Sequence, residues 1–216
     1  MKKLKVHIVD DHKVVADGLG MMLGSHPEIE VGAVNHTGEK ALAGLVNDVP
    51  DVVLMDYSLS EAGADAMNGL ETAQRIIAGY PSVKIMMLTM HDSPTVIIPC
   101  VTAGVHGYML KSERNTDVAS AILTLDRQGF YFSPTIAKDL AANMRNHTDD
   151  NGTVTERERD VLECLFKGGN SREIADELFI SMHTVDTHRR NLIQKFGAKN
   201  SVHLIYIALK KGILKV

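Results

Sequence analysis

The sequence predicts a doubly wound α/β domain, with a five-stranded parallel sheet in the order 2-1-3-4-5, followed by a small all-α domain. Three observations carry that expectation. The apolar runs Val6 to Val9, Val52 to Met55, Ile85 to Leu88 and Tyr108 to Leu110 are too short for helices and are bounded by polar or glycine-containing sequence. Helix-length stretches separate them, and regular alternation of strand and helix builds a parallel sheet with helices on both faces. In the last third, apolar residues recur at helical spacing and the charge turns basic.

Strands are expected near residues 4–9, 30–35, 51–56, 83–88 and 106–110, with helices filling the gaps. Gly18 and Gly24 weaken the first helix, yet Val14, Val15, Leu19, Met22 and Leu23 keep an apolar stripe along it. Ser133-Pro134 opens a short helix with Ile136, Leu140 and Met144 on one face, and the polar run from Met144 to Thr153 reads as a linker. The chain therefore divides into residues 1–128, a connection over 129–153, and a second domain over 154–216. Four helices are expected there, at 155–166, 171–178, 182–196 and 201–210. Thr155 and Glu158 form a capping box, Gly168-Gly169-Asn170 stops the first helix, and Ser171, Ser181 and Ser201 are candidate N-caps. Only Phe179 and Ile180 separate the second helix from the cap of the third, which is helix-turn-helix spacing.

With 44% hydrophobic residues in 216, each domain can bury its own core. No run of about 18 apolar residues is present, and the N-terminus reaches Asp10-Asp11 too soon for a secretory signal, so a cytoplasmic protein with no membrane association is expected. Cys100 and Cys164 fall in different domains on apolar helix faces and are expected as buried thiols. Residues 1–149 carry 12 Lys and Arg against 18 Asp and Glu, while residues 150–216 carry 11 against 9. From Ser181 onward Arg189, Arg190, Lys195, Lys199, Lys210, Lys211 and Lys215 are opposed only by Asp186, a bias suited to nucleic acid.

Asp11, Asp56, Thr89 and Lys111 each stand just past an apolar run, so a parallel sheet gathers them at its carboxyl edge, where such folds bind ligands. Asp10, Asp11 and Asp56 would share a few ångströms. Like charges that close need a neutralising cation or a proton. All-oxygen carboxylate ligands suit Mg²⁺, and Lys111 with Thr89 could hold the oxygens of a phosphoryl group on Asp56. A phosphatase with an aspartyl nucleophile is the rival chemistry, but it would place two aspartates two residues apart after the first strand, where this chain has adjacent Asp10-Asp11.

The segments DDH at 10–12, LMDYSLS at 54–60, LTMHD at 88–92 and GYMLK at 107–111 resemble the receiver domain of two-component response regulators. The stretch from Thr155 to Asn200 resembles the LuxR-type DNA-binding domain, so the whole chain looks like a member of the NarL/FixJ family. The resemblance implies that Asp56 accepts a phosphoryl group from a sensor histidine kinase, that Asp10, Asp11, Asp56 and the carbonyl of Ser58 hold Mg²⁺, and that Lys111 pairs with the phosphoryl group. Thr89 and Tyr108 would be the switch pair, with Tyr108 filling the space that Thr89 vacates. The protein would be a phosphoryl acceptor with at most weak self-dephosphorylation, not a turnover enzyme. It departs from the family at Ser60, in the long loop to Asn68, at Ser112 and at Met90.

By the same resemblance the helix beginning near Met182 enters the major groove of double-stranded DNA. Base reading is assigned to Asp186, Thr187 and Arg190, with Ser181, Thr184, Arg189, Lys195 and Lys199 on phosphates. His188 either donates to phosphate or packs. Asp186 stands where the family often has a basic residue; an acid can accept from cytosine N4. Val202, Ile205, Ala208 and Leu209 line one side of the last helix, part of which would form a homodimer contact. The alternative function is a DNA-binding regulator whose receiver is a phosphorylation-independent dimerisation module.

Overall fold

The computed structural model describes residues 2–59, 67–90, 93–113, 117–137 and 154–214. Strands β1 (Leu4–Val9), β2 (Ile29–Asn35), β3 (Val52–Asp56), β4 (Lys84–Thr89) and β5 (Gly107–Leu110) pair in parallel, and a sixth strand, β6 (Tyr131–Phe132), joins beyond β5. The order is β2-β1-β3-β4-β5-β6, so the sheet has one strand more than the five expected. Two residues are too few to show a period in the sequence. Their pairing follows from the chain running back past β5, where Tyr131 N donates to His106 O and Ser133 N to Tyr108 O.

Among the described residues five helices cover the sheet: α1 (Lys13–Gly24), α2 (Gly38–Leu45), α3 (Gly69–Gly79), α4 (Pro94–Ala103) and α5 (Val118–Gln128). The central strands β3, β4 and β5 are buried almost throughout, which is why they read as continuous apolar runs. Alternate residues serve the two faces: Val6, Ile8, Leu54 and Met86 pack with Ala16, Leu23, Ile122 and Leu125, whereas Val53, Met55, Ile85 and Met87 pack with Ala41, Ala73, Ile76 and Ile97. The long loop after Asp56 runs to Asn68, and the third helix starts only at Gly69. Asn68 caps it with a complete capping box to Glu71, and Gly69 lies so close to β3 that a Cβ there would meet the Asp56 carbonyl oxygen. The loop residues 60–66 lie outside the described residues.

Residues 134–137 are helical with Ile136 fully buried, as expected after Ser133-Pro134; Leu140, Met144 and the linker lie outside the described residues. The second domain has four helices: α6 (Glu156–Phe166), α7 (Ser171–Leu178), α8 (Met182–Phe196) and α9 (Ser201–Lys210). Thr155 and Ser181 cap α6 and α8 as expected. The caps of α7 and α9 are Asn170 and Asn200, not Ser171 and Ser201. Both are good caps, but the asparagine Oδ1 atoms accept the free amides one residue earlier, which leaves the two serine hydroxyls for other partners. Ile174, Ala175, Val185 and Leu192 form the expected shared core, with Leu178, Ile180 and Ile193 packed against it.

The domains touch. Asn200 Nδ2 donates to the Gly104 carbonyl at the end of α4, 2.7 Å away, and the Lys199 side chain lies over the same glycine. Phe130 and Phe132 face Phe166, Ile205 and Leu209 across a cleft of about 380 Å³. Cys100 and Cys164 are both free and buried, and burial pushes the Cys100 thiol up to about 12. Among the described residues no helix is long and apolar enough to cross a membrane.

His106, just before β5, accepts the Ile85 amide on Nδ1, and burial with Lys84 nearby holds its pKa down at about 4. The unfolded chain therefore takes up this proton near pH 6.5 while the folded one stays neutral, so stability is full above about pH 6.5 and falls as pH drops towards 4. Urea unfolding across that window should lose up to about 3 kcal/mol from this group, and His106→Gln should flatten the slope. An unchanged slope in the variant would contradict this.

Candidate functional site: an acidic strand edge and a basic helix

The parallel register brings four strand ends level. Met55 pairs with Val9, Asp56 with Leu88, and Thr89 with Leu110, so the residues that follow β1 and β5 arrive beside the last residues of β3 and β4. Asp10, Asp11, Asp56 and Thr89 are all buried. The cation that makes this tolerable is Lys111, whose Nζ lies 2.7 Å from Asp10 Oδ2 and 2.9 Å from Asp56 Oδ2. Its own backbone N–H donates to the Thr89 carbonyl at 2.7 Å, tying β5 to β4 at the site.

Burial is the largest influence on Asp56 and lifts its pKa above the ordinary carboxylate value, against the opposing pull of Lys111. For Lys111, burial works against the charge, but hydrogen bonds to Asp10 and Asp56 outweigh it and the pKa rises. Both values rise, which favours the charged amine but disfavours the charged carboxylate, because one ammonium is shared between two carboxylates: the amine is well compensated, while Asp56 is only partly so.

The loop after β1 is fixed by its own amides. His12 N donates to Asp10 Oδ1 at 2.9 Å, and His36 Nδ1 reaches the Asp10 carbonyl at 2.9 Å. His12 Nδ1 lies 2.9 Å from Asp11 Oδ1, and that contact raises the pKa of the exposed ring. One ligand atom from each of Asp10, Asp11, His12 and Asp56 falls within 4.8 Å of the others. This donor set fits a divalent cation: three buried carboxylates converge with one lysine to offset them. Ser58 is adjacent, its amide 3.4 Å from Asp56 Oδ1. His12 was singled out in the sequence only as part of DDH, although a histidine directly after two aspartates is itself a ligand signal.

Tyr108 is inside the domain with its hydroxyl buried near the Thr89 side chain, and Thr89 is buried at the site. Burial drives the phenol pKa well up, and the Thr89 side chain opposes part of that shift. Both members of the expected switch pair, Thr89 and Tyr108, are therefore buried side by side on β4 and β5. Met90 is exposed beside Thr89. No described peptide bond is cis, including the one between Lys111 and Ser112.

In the helical domain, α8 separates into two faces. Ser181, His183, Asp186, Arg190, Asn191 and Gln194 are exposed, and Thr184, Thr187 and His188 are partly buried. Ser181 caps the helix by accepting from Thr184 N, and the Thr187 hydroxyl is turned onto the His183 carbonyl. Two residues assigned to phosphates have other partners. Arg189 donates to Ser171 Oγ at 2.9 Å and Ser201 Oγ at 3.0 Å and is largely covered, so it ties α8 to the starts of α7 and α9. Lys195 reaches Glu158 Oε2 at 2.7 Å, locking the capping box of α6. Asp186 keeps half its side chain exposed but accepts from Ser171 Oγ. Lys199 is exposed, against Gly104 of the first domain. His183, Asn191 and Gln194, to which the sequence reading gave no role, are exposed on the same helix. Their place on the Thr187 and Arg190 side of a 3.6-residue helix was the available signal.

Comparison with known proteins agrees with this geometry. The family described as response regulator receiver domain matches residues 6–123, and bacterial regulatory proteins, luxR family, matches residues 153–208. The chain is 32% identical over 219 residues to the oxygen regulatory protein NreC of Staphylococcus carnosus, covering 98% of this chain and 99% of NreC. It is 34% identical over 203 residues to the transcriptional regulatory protein UhpA of Salmonella typhimurium, covering 94% and 96%. In structure it resembles the Salmonella typhimurium RcsB response regulator, with a TM-score of 0.60 at 22% identity over 96% of this chain and 98% of that one.

Replacing Lys111 by Met leaves Asp10 and Asp56 buried without their shared cation. The loss of stability should be about 3 kcal/mol near pH 7. Asp56, its pKa raised further, would be neutralised by a proton at lower pH, so the deficit should shrink by about half or more near pH 4.5. Urea melts of both proteins at the two pH values check this, and a deficit independent of pH would contradict it.

Proposed function

This chain belongs to the two-component response regulators with a LuxR-type DNA-binding domain, and from that premise we propose that phosphorylation of Asp56 by a sensor histidine kinase governs its binding to double-stranded DNA in the cytoplasm. The observation that carries the proposal is the shared Lys111 contact to Asp10 and Asp56, which holds a buried carboxylate beside a cation at the ligand-binding edge of the sheet. A module used only for constitutive dimerisation has no need of so costly a cluster.

In the transfer, an Asp56 oxygen bonds to phosphorus as the phosphorus–nitrogen bond of a phosphohistidine breaks, and the imidazole nitrogen keeps the electron pair. Mg²⁺ held by Asp10, Asp11, Asp56 and the Ser58 carbonyl would supply positive charge against the phosphoryl oxygens. Lys111 can follow the new charge because its amine already touches Asp56 and need only release Asp10. Thr89, level with it on β4, offers its hydroxyl. The chain acts as a stoichiometric acceptor, with slow self-dephosphorylation at most.

The output lies in what the first domain covers. Ile205 and Leu209, on the α9 side that sequence reasoning gave partly to a homodimer, are buried, and both line the interdomain cleft, whereas the outer face of α8 stays open. Rearrangement at Thr89 and Lys111 would reach α4, whose C-terminal Gly104 holds Asn200, and would free α9 for a second copy. A dimer then reads paired half-sites with Arg190, Thr187 and Asp186.

With Mg²⁺ and acetyl phosphate, intact mass should show one phosphoryl group on the wild type and none on Asp56→Ala; full labelling of that variant would refute the acceptor assignment. Arg190→Ala should keep both labelling and melting behaviour while losing operator affinity in a gel-shift assay. Arg189→Ala should instead destabilise the helical domain by about 1–3 kcal/mol.

A further inference from the structure

The Ser171 hydroxyl, released from capping by Asn170, sits between two charged side chains of α8. Arg189 donates to Ser171 Oγ at 2.9 Å, and Ser171 Oγ lies 2.7 Å from Asp186 Oδ1. The direction of this chain is fixed by its chemistry. A guanidinium has only donors, so the serine accepts from Arg189 and its single hydrogen goes to Asp186. Oδ1 of Asp186 is thereby committed within the protein, whereas no hydrogen bond or ion pair is found for Oδ2 among the described residues, on a side chain 51% exposed. Asp186 stands one turn from His183 and one turn from Arg190, and all three are exposed along the open face of α8.

An acid on a helix in a DNA groove faces phosphates. Arg189, 3.8 Å from Asp186 Oδ1 and unable to lose its proton, offsets that repulsion. What remains is one oriented acceptor. In the major groove, guanine and thymine show only acceptors to a hydrogen-bonding partner, and a carboxylate repels them. Adenine sets its N6 donor beside the N7 acceptor, whereas cytosine offers its N4 donor with no acceptor on the same base edge. We propose that Asp186 selects a cytosine in each half-site through its uncommitted oxygen, and that Ser171, itself held by Arg189, is the positioning residue that aims it. This deepens the reading of α8 as the helix that contacts operator bases, on which it rests, by naming the base and the group that orients its reader. Without the serine hydroxyl the carboxylate is free to rotate onto Arg189, three residues along the same helix, and its acceptor is no longer held in one direction.

The test is selection from randomised DNA duplexes by the full-length chain, treated with acetyl phosphate and Mg²⁺, followed by sequencing of the bound DNA. Circular dichroism melts check that each variant is folded. The wild type should enrich sites with C·G at one position of each half-site, favoured about tenfold or more over any other pair. Asp186→Asn, which sets a donor beside the acceptor, should switch that position to A·T, and Asp186→Ala should lose the preference there. Ser171→Ala should bring the cytosine preference down to about twofold with the rest of the motif kept, and Ser171→Thr, which retains the hydroxyl, should restore it. A serine that only stabilised the domain would instead weaken binding to all sites alike. A motif with the same base at every position in the wild type, Asp186→Asn and Asp186→Ala overturns the role of Asp186. An unchanged cytosine preference in Ser171→Ala overturns that of Ser171. If the wild type enriches no motif at all, the base-reading role of α8 falls with the inference.

Discussion

One ammonium group shared by two buried carboxylates is the constraint around which the first domain is organised. Asp10 comes from the end of β1, Asp56 from β3 and Lys111 from just beyond β5, so the contact closes only if all the intervening strands keep their register. Slipping one strand by a single residue would turn a charged group into the apolar layer and leave the others unpaired. A cluster of this kind adds little net stability, since desolvation consumes most of the Coulomb attraction. Its effect is on specificity, and on leaving a site short of positive charge whose occupants must supply it.

The helical domain uses polar contacts differently. Asn170 and Asn200 take over capping, which frees Ser171 and Ser201 to receive the two arms of Arg189. One guanidinium thereby joins three helices through hydrogen bonds at fixed angles, a task for which lysine is poorly shaped. Lys195 does the same for the start of α6 through Glu158. The basic residues of α8 thus divide between those that hold the domain together and those, like Arg190, left facing outward, and the charge count alone cannot distinguish them.

Four of the six strands were legible because a parallel strand buried on both faces is a continuous apolar run, β2 was expected near residues 30–35 without one because it is a partly exposed edge strand, and the site residues were legible because they stand just past such runs. The start of α3 near Asn68 was legible from the length of the loop after Asp56, while its capping box to Glu71, a local signal, was not read. What else was not legible was non-local. β6 exists because the chain passes β5, and the caps at Asn170 and Asn200 decide between adjacent residues of similar propensity. The structural duties of Arg189 and Lys195 depend on helices that only tertiary packing brings near. That Ile205 and Leu209 line a cleft towards Phe130 and Phe132 depends on the other domain, and no period within α9 records it.

The central claim is that Asp56 is a buried carboxylate whose pKa burial lifts against the pull of one shared lysine, and that it is open to further positive charge. Its titration, followed by ¹³C NMR of the side-chain carboxyl, measures this directly. The account requires a pKa above the ordinary aspartate value in the metal-free protein and a downward shift when Mg²⁺ is added. An Asp56 that titrates at or below the ordinary value and does not respond to the ion would contradict it.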